Sequence, residues 1–145
     1  MIVKTKHFGD MEIEEEDIMH FSRGLLGLEE YKRFILFHIE EKSKFRCLQS
    51  IDEVGIAFIL INPWDFYKDY SIDVSEDDLD EIKMENQNDL FILNLITIKE
   101  DIQSATANLV APIIINVKAQ LAAQVVLTKD SYTTRHLLFP EREGE

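Results

Sequence analysis

Over most of the chain, apolar residues alternate with polar ones or form short runs, which is the pattern of β-strands. Residues 34–39, 45–50 and 56–61 predict three consecutive strands, and the connections between them are polar and of hairpin length. The same patterns predict strands at 2–6, 11–14, 18–21, 90–98, 113–117 and 122–128, while 132–139 either add an edge strand or lie across the surface. Many short strands with short connections predict a mainly β fold, an antiparallel barrel or sandwich.

One short helix interrupts this pattern. The best helix start in the chain is Ser75, which is followed three residues later by Asp78. A hydroxyl at the N-cap accepts a backbone N–H, and acidic residues in the first turn suit the positive end of the helix dipole. Because Leu79 and Ile82 are spaced to share one buried face, we predict a helix of about two to three turns here.

A leucine-rich segment follows the predicted strand at 18–21. Residues 22–24 break the strand pattern, and a second glycine stands at position 27. The apolar residues around it are Leu25, Leu26, Leu28 and Tyr31. Their spacing predicts one tight helical turn in which the leucines are buried.

The length and charge of the chain limit its function. Its 145 residues fit one domain, and 15 basic against 28 acidic residues leave a net charge of −13. Nucleic-acid binders gain most of their affinity from Lys and Arg that replace counterions, so this charge disfavours direct binding of RNA or DNA. The same field attracts basic proteins at long range. We predict a single domain over residues 1–139, a flexible tail at 140–145, and a positively charged protein as partner.

Cysteine content and hydropathy indicate the compartment. Cys47 is the single cysteine, so the chain forms no internal disulfide and no cysteine-based zinc site. The first residues lack the apolar region of a signal peptide. The longest apolar run, residues 56–61, is far shorter than the roughly 18 residues needed to cross a bilayer. We predict a cytoplasmic protein that does not associate with membranes.

No residue pattern predicts catalysis or a cofactor. None of the four histidines stands at a metal-ligand spacing from another. A Gly-x-Ser-x-Gly nucleophile elbow and a glycine-rich phosphate loop are both absent. Cys47 lies in an apolar strand, where cysteine is usually inert core. We therefore predict a protein that is not an enzyme and that needs neither metal nor cofactor.

Two segments are strongly acidic: six of the eight residues in 10–17 and six of the nine in 73–81 are Asp or Glu. The second begins like a calcium-binding loop, but an EF-hand needs glycine and glutamate where this chain has Asp78 and Met84. Charge runs usually face water, so a solvated hairpin edge and a helix start are the simplest interpretation. The alternative is a docking surface for a basic partner, for which the candidates are Asp77, Asp78 and Glu81.

Four aromatic residues lie within seven positions of a predicted loop, at Trp64, Phe66, Tyr67 and Tyr70. Either they cover an open end of the barrel, or they anchor a protein partner, since exposed aromatic side chains dominate many interfaces. Stacking on nucleic acid is disfavoured by the negative charge around them. Trp64, Phe66 and Tyr67 are the candidates for contact with a partner.

Residues 21–29, FSRGLLGLE, resemble the F-x-x-G-[IL]-x-G-[FL]-E signature of the flagellar assembly factor FliW family. Further segments are similar to the family in the same order, at 48–50, 57–58, 63, 108–116, 124–127 and 132–136. The resemblance covers residues 2–138, and an ordered set of motifs over this length is specific. Leu28 stands where phenylalanine is frequent in the family, a modest departure at an apolar position.

The resemblance implies a compact single-domain antiparallel β-barrel-like protein without enzymatic activity. Members of the family bind newly made flagellin near its C-terminal region, and they antagonise CsrA, a small basic RNA-binding dimer that represses translation. Flagellin and CsrA compete for the factor, so flagellin mRNA is translated only after earlier flagellin has been secreted. Because a small strand-rich body offers little room for coupling between distant sites, we expect overlapping surfaces, with the acidic clusters serving CsrA more than flagellin.

The matching segments supply six further candidate contact residues: Asn108, Pro112, Asn116, Gln124, Tyr132 and Arg135. The asparagines either contact a partner or cap backbone groups, while Gln124 and Arg135 either reach a partner or complete a buried network. Tyr132 and Arg135 are also suited to hold the C-terminal segment through stacking and a carboxylate pair. Two other functions stay open, namely a small-molecule carrier or enzyme that uses the barrel interior, and an acidic mimic that occupies an RNA site.

Overall fold

The structure, a computed structural model, describes residues 1–128 and 132–139, which contain eleven β-strands and one α-helix. The strands are β1 (Ile2–Lys4), β2 (Asp10–Glu12), β3 (Ile18–Phe21), β4 (Arg33–His38), β5 (Phe45–Ser50), β6 (Ala57–Ile61), β7 (Leu90–Thr97), β8 (Thr106–Ala107), β9 (Ile113–Asn116), β10 (Leu121–Gln124) and β11 (His136–Leu137). The helix, α1 (Glu76–Glu81), lies between β6 and β7. The predicted tail at 140–145 lies outside the described residues.

Seven strands close into a barrel in the order β7-β6-β5-β4-β3-β10-β9, and β9 pairs back onto β7. Six of the seven neighbouring pairs are antiparallel, with registers such as Leu36 opposite Leu48 and Leu93 opposite Ile113. The seventh pair, β3 with β10, is parallel and joins strands from opposite halves of the chain. Closure removes exposed edges from the ring. The predicted mainly β barrel with one short helix is therefore confirmed, with one parallel pair in an otherwise antiparallel ring.

The interior of the barrel is filled by apolar side chains from every strand of the ring. The buried members of this cluster from the strands are Met19, Phe21, Phe34, Leu48, Leu60, Leu93, Ile113, Ile115 and Ala122. Their burial is the main stabilising contribution to a closed barrel of this size. The same side chains occupy the space that a small molecule inside the barrel would need.

One end of the barrel is closed by the leucine-rich segment between β3 and β4. Leu25 is buried among the interior side chains, and Leu28 and Tyr31 pack against the same cluster. The predicted helical turn is absent, because the segment consists of successive turns joined by a bridge between Leu25 and Leu28. Leu26 is 55% exposed, in contrast to the predicted burial of the leucines. The reason is conformational: Gly24 and Gly27, flanking Leu25 and Leu26, have positive φ, which a continuous helical turn excludes.

The opposite end of the barrel is open. Here β4 ends and β5 and β7 begin. A cavity of about 380 Å³ at this end is lined by inward-facing side chains such as Leu36 and Met19 and by outer residues such as Met11 and Ile35. Phe91 lies opposite Ile115 of the interior cluster, and Arg46 lies opposite Leu60, so both face the inside of the barrel. Val117 follows β9 on the same face. The two ends of the barrel therefore differ, one closed by Leu25 and its neighbours and the other accessible.

The N-terminal hairpin covers the outer face of β3 and β4. β1 and β2 pair only with each other. Val3 packs with Ile18 and Ile35, which point away from the interior because Met19 and Phe34 beside them fill it. The hairpin thereby buries an apolar outer face that would otherwise be exposed to water.

Helix α1 begins at the predicted N-cap, since Ser75 Oγ accepts the backbone N–H of Asp78 at 3.1 Å. The helix spans six residues and is shorter than predicted. It ends at Ile82, which is buried against Ile114 on the outer face of β9, and Lys83 then turns the chain with a φ of 55°. Within the described ranges, no helix is long and apolar enough to cross a bilayer.

Candidate functional site

The acidic helix α1 is tied to the segment that closes the barrel. Arg23 places its guanidinium 3.3 Å from Asp78 Oδ1 and 2.6 Å from Glu81 Oε2. Ser22 donates its hydroxyl to Glu81 at 2.9 Å. Asp77 is exposed and forms no ion pair within residues 1–128 and 132–139. Two of the three acidic candidates therefore have an internal role, and Asp77 is the one whose charge faces only solvent or a partner.

The aromatic segment covers the outer wall of the barrel. Ile61 and Ile96 point outward, because Leu60 and its neighbours on the ring fill the interior. Phe66 and Tyr70 pack over these two isoleucines. The predicted position at an open end of the barrel is therefore wrong. β6 and β7 are apolar on both faces, so their outward face needs a cover of its own.

Trp64 and Phe66 are both held by contacts within this cover. Trp64 donates its indole N–H to the carbonyl of Tyr70 at 2.8 Å and remains 40% exposed. Phe66 lies between Phe45 and Phe139, with ring centroids 6.1 and 5.8 Å away. These contacts favour the interpretation of the segment as a lid, although the exposed part of Trp64 leaves it accessible to a partner.

Tyr67 and Tyr132 join the aromatic segment to the C-terminal strand. Tyr67 donates its hydroxyl to the carbonyl of Leu137 at 2.8 Å, and burial raises the pKa of Tyr67 to about 12. Tyr132 accepts the backbone N–H of Ser71 at 2.7 Å, and its ring lies 4.8 Å from that of Tyr70. The stacking expected of Tyr132 is therefore present, and both hydroxyls fasten the C-terminal segment to the body of the protein.

Gln124 and Arg135 have different environments. Gln124 completes an internal network, since its amide donates to the carbonyl of Ala111 at 3.1 Å and accepts the N–H of Leu26 at 3.0 Å. Arg135 is exposed, and no carboxylate pairs with it in the part of the chain that the structure describes. The predicted carboxylate pair of Arg135 is thus absent there, and its guanidinium is free to meet a partner.

Asn108 and Asn116 cap backbone groups on either side of the buried Pro112. Asn108 Oδ1 accepts two successive backbone N–H groups at 3.1 and 3.0 Å. Asn116 is only 3% exposed, and its amide donates to the carbonyls of Ile82 at 2.9 Å and Lys83 at 3.1 Å. Its Oδ1 accepts two further backbone N–H groups. Of the two interpretations of these asparagines, capping is the one that their contacts support.

The thiol and the potential metal ligands among the described residues can be assessed from their surroundings. Cys47 is fully buried, and burial raises the pKa of its thiol to about 11, so it stays protonated at neutral pH. Within residues 1–128 and 132–139, no three side chains of His, Cys, Asp or Glu converge as metal ligands.

Two residues without a predicted role, Arg46 and Phe91, meet at the open end of the barrel. The guanidinium carbon of Arg46 lies 5.8 Å from the centroid of the Phe91 ring, and Phe91 is 48% exposed. A signal for Arg46 exists in the sequence, because it shares the inward face of its strand with Leu48. No such signal exists for Phe91, which lies within an ordinary apolar run.

Replacing Phe66 by alanine is expected to lower the free energy of unfolding by about 3 kcal/mol, because a partly buried aromatic side chain leaves a cavity between two other rings. Trp64→Ala should cost about 2 kcal/mol through the lost indole hydrogen bond and ring packing. Thermal melting and partner binding measured on each variant test this expectation. If a variant binds one partner more weakly by about 2 kcal/mol or more while its melting temperature is unchanged, the replaced residue is an anchor for that partner and not part of a lid.

The chain is similar to proteins of one family over nearly its full length. The family model described as FliW protein matches residues 2–138. The "Flagellar assembly factor FliW" of Clostridium botulinum (strain Langeland) is 38% identical over 141 residues, covering 97% of this chain and 99% of the relative. The protein of the same name from Bacillus subtilis (strain 168) is 40% identical over 136 residues, covering 94% of this chain and 95% of the relative. A solved structure, "Crystal structure of the flagellar assembly factor FliW", superposes with a TM-score of 0.92 at 37% identity, covering 98% of this chain and 99% of that one. With its closed seven-stranded barrel and its family-matching segments in order, the chain belongs to the FliW family.

Proposed function

We propose that this protein is a cytoplasmic flagellar assembly factor that binds flagellin as a chaperone and antagonises the translational regulator CsrA by direct contact. One observation carries the proposal: the match to the FliW family spans residues 2–138 and almost the whole length of the relatives. The name of those relatives supports the role in flagellar assembly. The two partners follow from the resemblance of the sequence motifs to the family.

Charge supports CsrA as a partner. The chain carries a net charge of −13, and CsrA is a small basic protein, so the two attract each other at long range. The same negative field opposes direct contact with nucleic acid or with an anionic membrane. In this scheme the protein acts on translation only through CsrA and performs no chemical step.

Competition between the two partners couples flagellin translation to flagellum assembly. When flagellin accumulates, it occupies the factor, and the released CsrA represses flagellin mRNA. When flagellin is secreted, the free factor binds CsrA and translation resumes. Such a switch needs only that one partner excludes the other, and overlapping surfaces on a rigid barrel are the simplest way to achieve it.

The experiment that tests the proposal is a binding assay with purified CsrA, repeated with purified flagellin present. We expect each protein to bind alone and flagellin to displace CsrA. A ternary complex with both partners bound would rule out the shared surface. Absence of binding to both partners would contradict the proposed function itself.

Reversing the charge of Asp77 is expected to slow the association of CsrA by about two- to fivefold at low salt, because exposed charges steer a charged partner during diffusion. At physiological salt the Debye length is about 8 Å, so the effect should be smaller. Flagellin binding should change little. Asp77 is the informative position, since Asp78 and Glu81 also pair with Arg23. Stopped-flow rates at low and moderate salt measure the effect.

Glu100→Lys is the matched control for Asp77→Lys, because Glu100 is exposed and lies outside both acidic segments. The same change in net charge there should have a smaller effect on the association rate. Equal effects at the two positions would mean that only total charge matters. If the triple reversal of Asp77, Asp78 and Glu81 weakens both partners equally, the helix serves the fold or both contacts rather than CsrA alone.

The alternative of a small-molecule barrel receives little support from the interior. The inward-facing positions along the ring carry side chains such as Phe34, Leu48 and Leu60, which are fully buried against one another. Ligand pockets need a few convergent polar groups within an enclosed space. The cavity at the open end of the barrel lies outside this packed region.

A further inference from the structure

The open end of the barrel exposes apolar side chains around a cavity of about 380 Å³. Phe91 and Val117, on its rim, are 48% and 39% exposed. Leu36 and Met19 lie deeper and belong to or pack against the interior cluster. Exposed apolar side chains that ring a concave site are typical of a surface that is covered when a partner binds.

The charged side chains at this end differ in whether they have a partner within the protein. Glu12 and Asp17 also line the cavity, but Glu12 lies 3.6 Å from the N-terminal ammonium and Asp17 accepts the backbone N–H of Glu14 at 2.8 Å. The guanidinium of Arg46 has no carboxylate partner within residues 1–128 and 132–139, and it lies over the Phe91 ring. Among the described residues that line this cavity, the Arg46 guanidinium is therefore the charged group left to receive a carboxylate, while Glu12 and Asp17 keep their own negative charges beside it.

We propose that the open end of the barrel binds a protein segment that inserts an apolar side chain beside Phe91 and Val117 and places a carboxylate on Arg46. A guanidinium that stacks on an aromatic ring keeps its N–H edge free for a carboxylate, which it binds in a bidentate manner. Building on the proposed function, we assign this segment to flagellin, since a basic protein such as CsrA is not attracted by Arg46.

A protein segment fits this site better than a small molecule. Pockets for small molecules enclose most of their ligand, whereas this cavity opens at the end of the barrel with the half-exposed side chains of Phe91 and Val117 on its rim. A side chain from a partner fills such a cavity while the surrounding partner surface covers the rim and excludes water. The acidic residues 10–17 lie beside the same opening, which places the surface for a basic partner next to that for flagellin.

The first test uses two small probes and does not depend on flagellin. The ¹⁵N-labelled protein is titrated with N-acetyl-L-phenylalanine, which has a carboxylate, and with N-acetyl-L-phenylalaninamide, which lacks one. We expect backbone amide shifts at Arg46, Phe91 and Val117 with the acid at millimolar concentration and at least threefold weaker binding of the amide. Arg46→Gln should remove the difference between the probes, and Arg46→Lys should keep part of it. Shifts elsewhere only, or equal binding of both probes, would overturn the site.

The second test assigns the occupant. Phe91→Ala is expected to weaken flagellin binding by about 30-fold and Arg46→Gln by about tenfold. The matched controls Ile98→Ala and Lys99→Gln, which alter exposed residues just beyond the other end of β7, should change affinity by less than about twofold. Melting temperatures of all four variants show whether any of them has lost its fold. If one has, the flagellin affinity of Arg46→Lys, which keeps the positive charge, is the second measure of the site.

The two tests separate the possible failures. If the wild-type protein binds the acid probe at the open end but binds no flagellin, the proposed function is wrong, and so is flagellin as the occupant, while the site stands. If flagellin binds with unchanged affinity to both Phe91→Ala and Arg46→Gln, flagellin uses another surface and the assignment is overturned. Displacement of the acid probe by flagellin supports the assignment.

Discussion

Replacing Gly24 by alanine is expected to lower the free energy of unfolding by at least about 3 kcal/mol. Gly24 has a φ of +67°, and a Cβ at this position would lie 2.5 Å from Cα and 2.6 Å from the carbonyl oxygen of Glu29. Both atoms belong to the backbone, so no side-chain rotation relieves the contact. The segment that closes the barrel would have to move, and Leu25 would lose its place among the interior side chains.

Gly27→Ala is the matched control for Gly24→Ala. Gly27 also has a positive φ, +83°, but a Cβ there meets no atom within 4 Å. Its substitution should cost only about 1 kcal/mol, from the left-handed conformation alone. Chemical denaturation of both variants measures the difference. Equal losses of stability would show that backbone conformation, and not the close approach of Glu29, is what requires glycine at position 24.

Asn116→Ala is expected to destabilise the protein by about 3 kcal/mol, because it removes a buried amide that serves four backbone groups. Two of them are the carbonyls of Ile82 and Lys83, where α1 ends and the chain takes a positive φ at Lys83. The other two are the N–H groups of Lys118 and Ala119 in the turn between β9 and β10. The side chain therefore holds the helix against the barrel wall.

The comparison for Asn116 is Asn86, which caps a turn in the same way but is exposed and bonds a single N–H, that of Asn88 at 2.9 Å. Asn86→Ala should cost at most about 1 kcal/mol. Asn116→Asp adds a second check. An aspartate keeps the oxygen that accepts two N–H groups, but it places a negatively charged oxygen against the carbonyls of Ile82 and Lys83. Unfolding curves that place Asn116→Ala level with Asn86→Ala would contradict the role of Asn116 as an internal cap.

The two ends of the barrel differ in structure in this member of the FliW family. The end closed by residues 22–31 is built for stability, through Gly24, Leu25 and the contacts of Arg23 with α1. The open end carries half-exposed apolar side chains and the guanidinium of Arg46, which no carboxylate pairs with in the described part of the chain. Under the proposed function, the family signature at 21–29 then maintains the fold, and a binding surface lies at the other end.

The sequence alone accounts for the mainly β architecture, because alternation of apolar and polar residues depends only on the local geometry of a strand. It also determined the start of α1, since the hydroxyl of Ser75 bonds a backbone N–H only three residues away. The family followed from the sequence as well, through motifs that match in order. The capping role of Asn108 was among the alternatives because asparagine bonds backbone groups close by in the chain.

Features that depend on residues far apart in the chain are set by the three-dimensional packing. The parallel pairing of β3 with β10 closes the barrel, and no local pattern encodes which distant strands meet. The outward-facing Ile61 and Ile96 show why the aromatic segment covers the wall, since their apolar run does not reveal which face lies inside. The meeting of Arg46 with Phe91 at the open end likewise depends on the register of β5, β6 and β7. The physical reason is common to all three: strand pairing sets which residues become neighbours, and it is chosen by the packing of the whole chain.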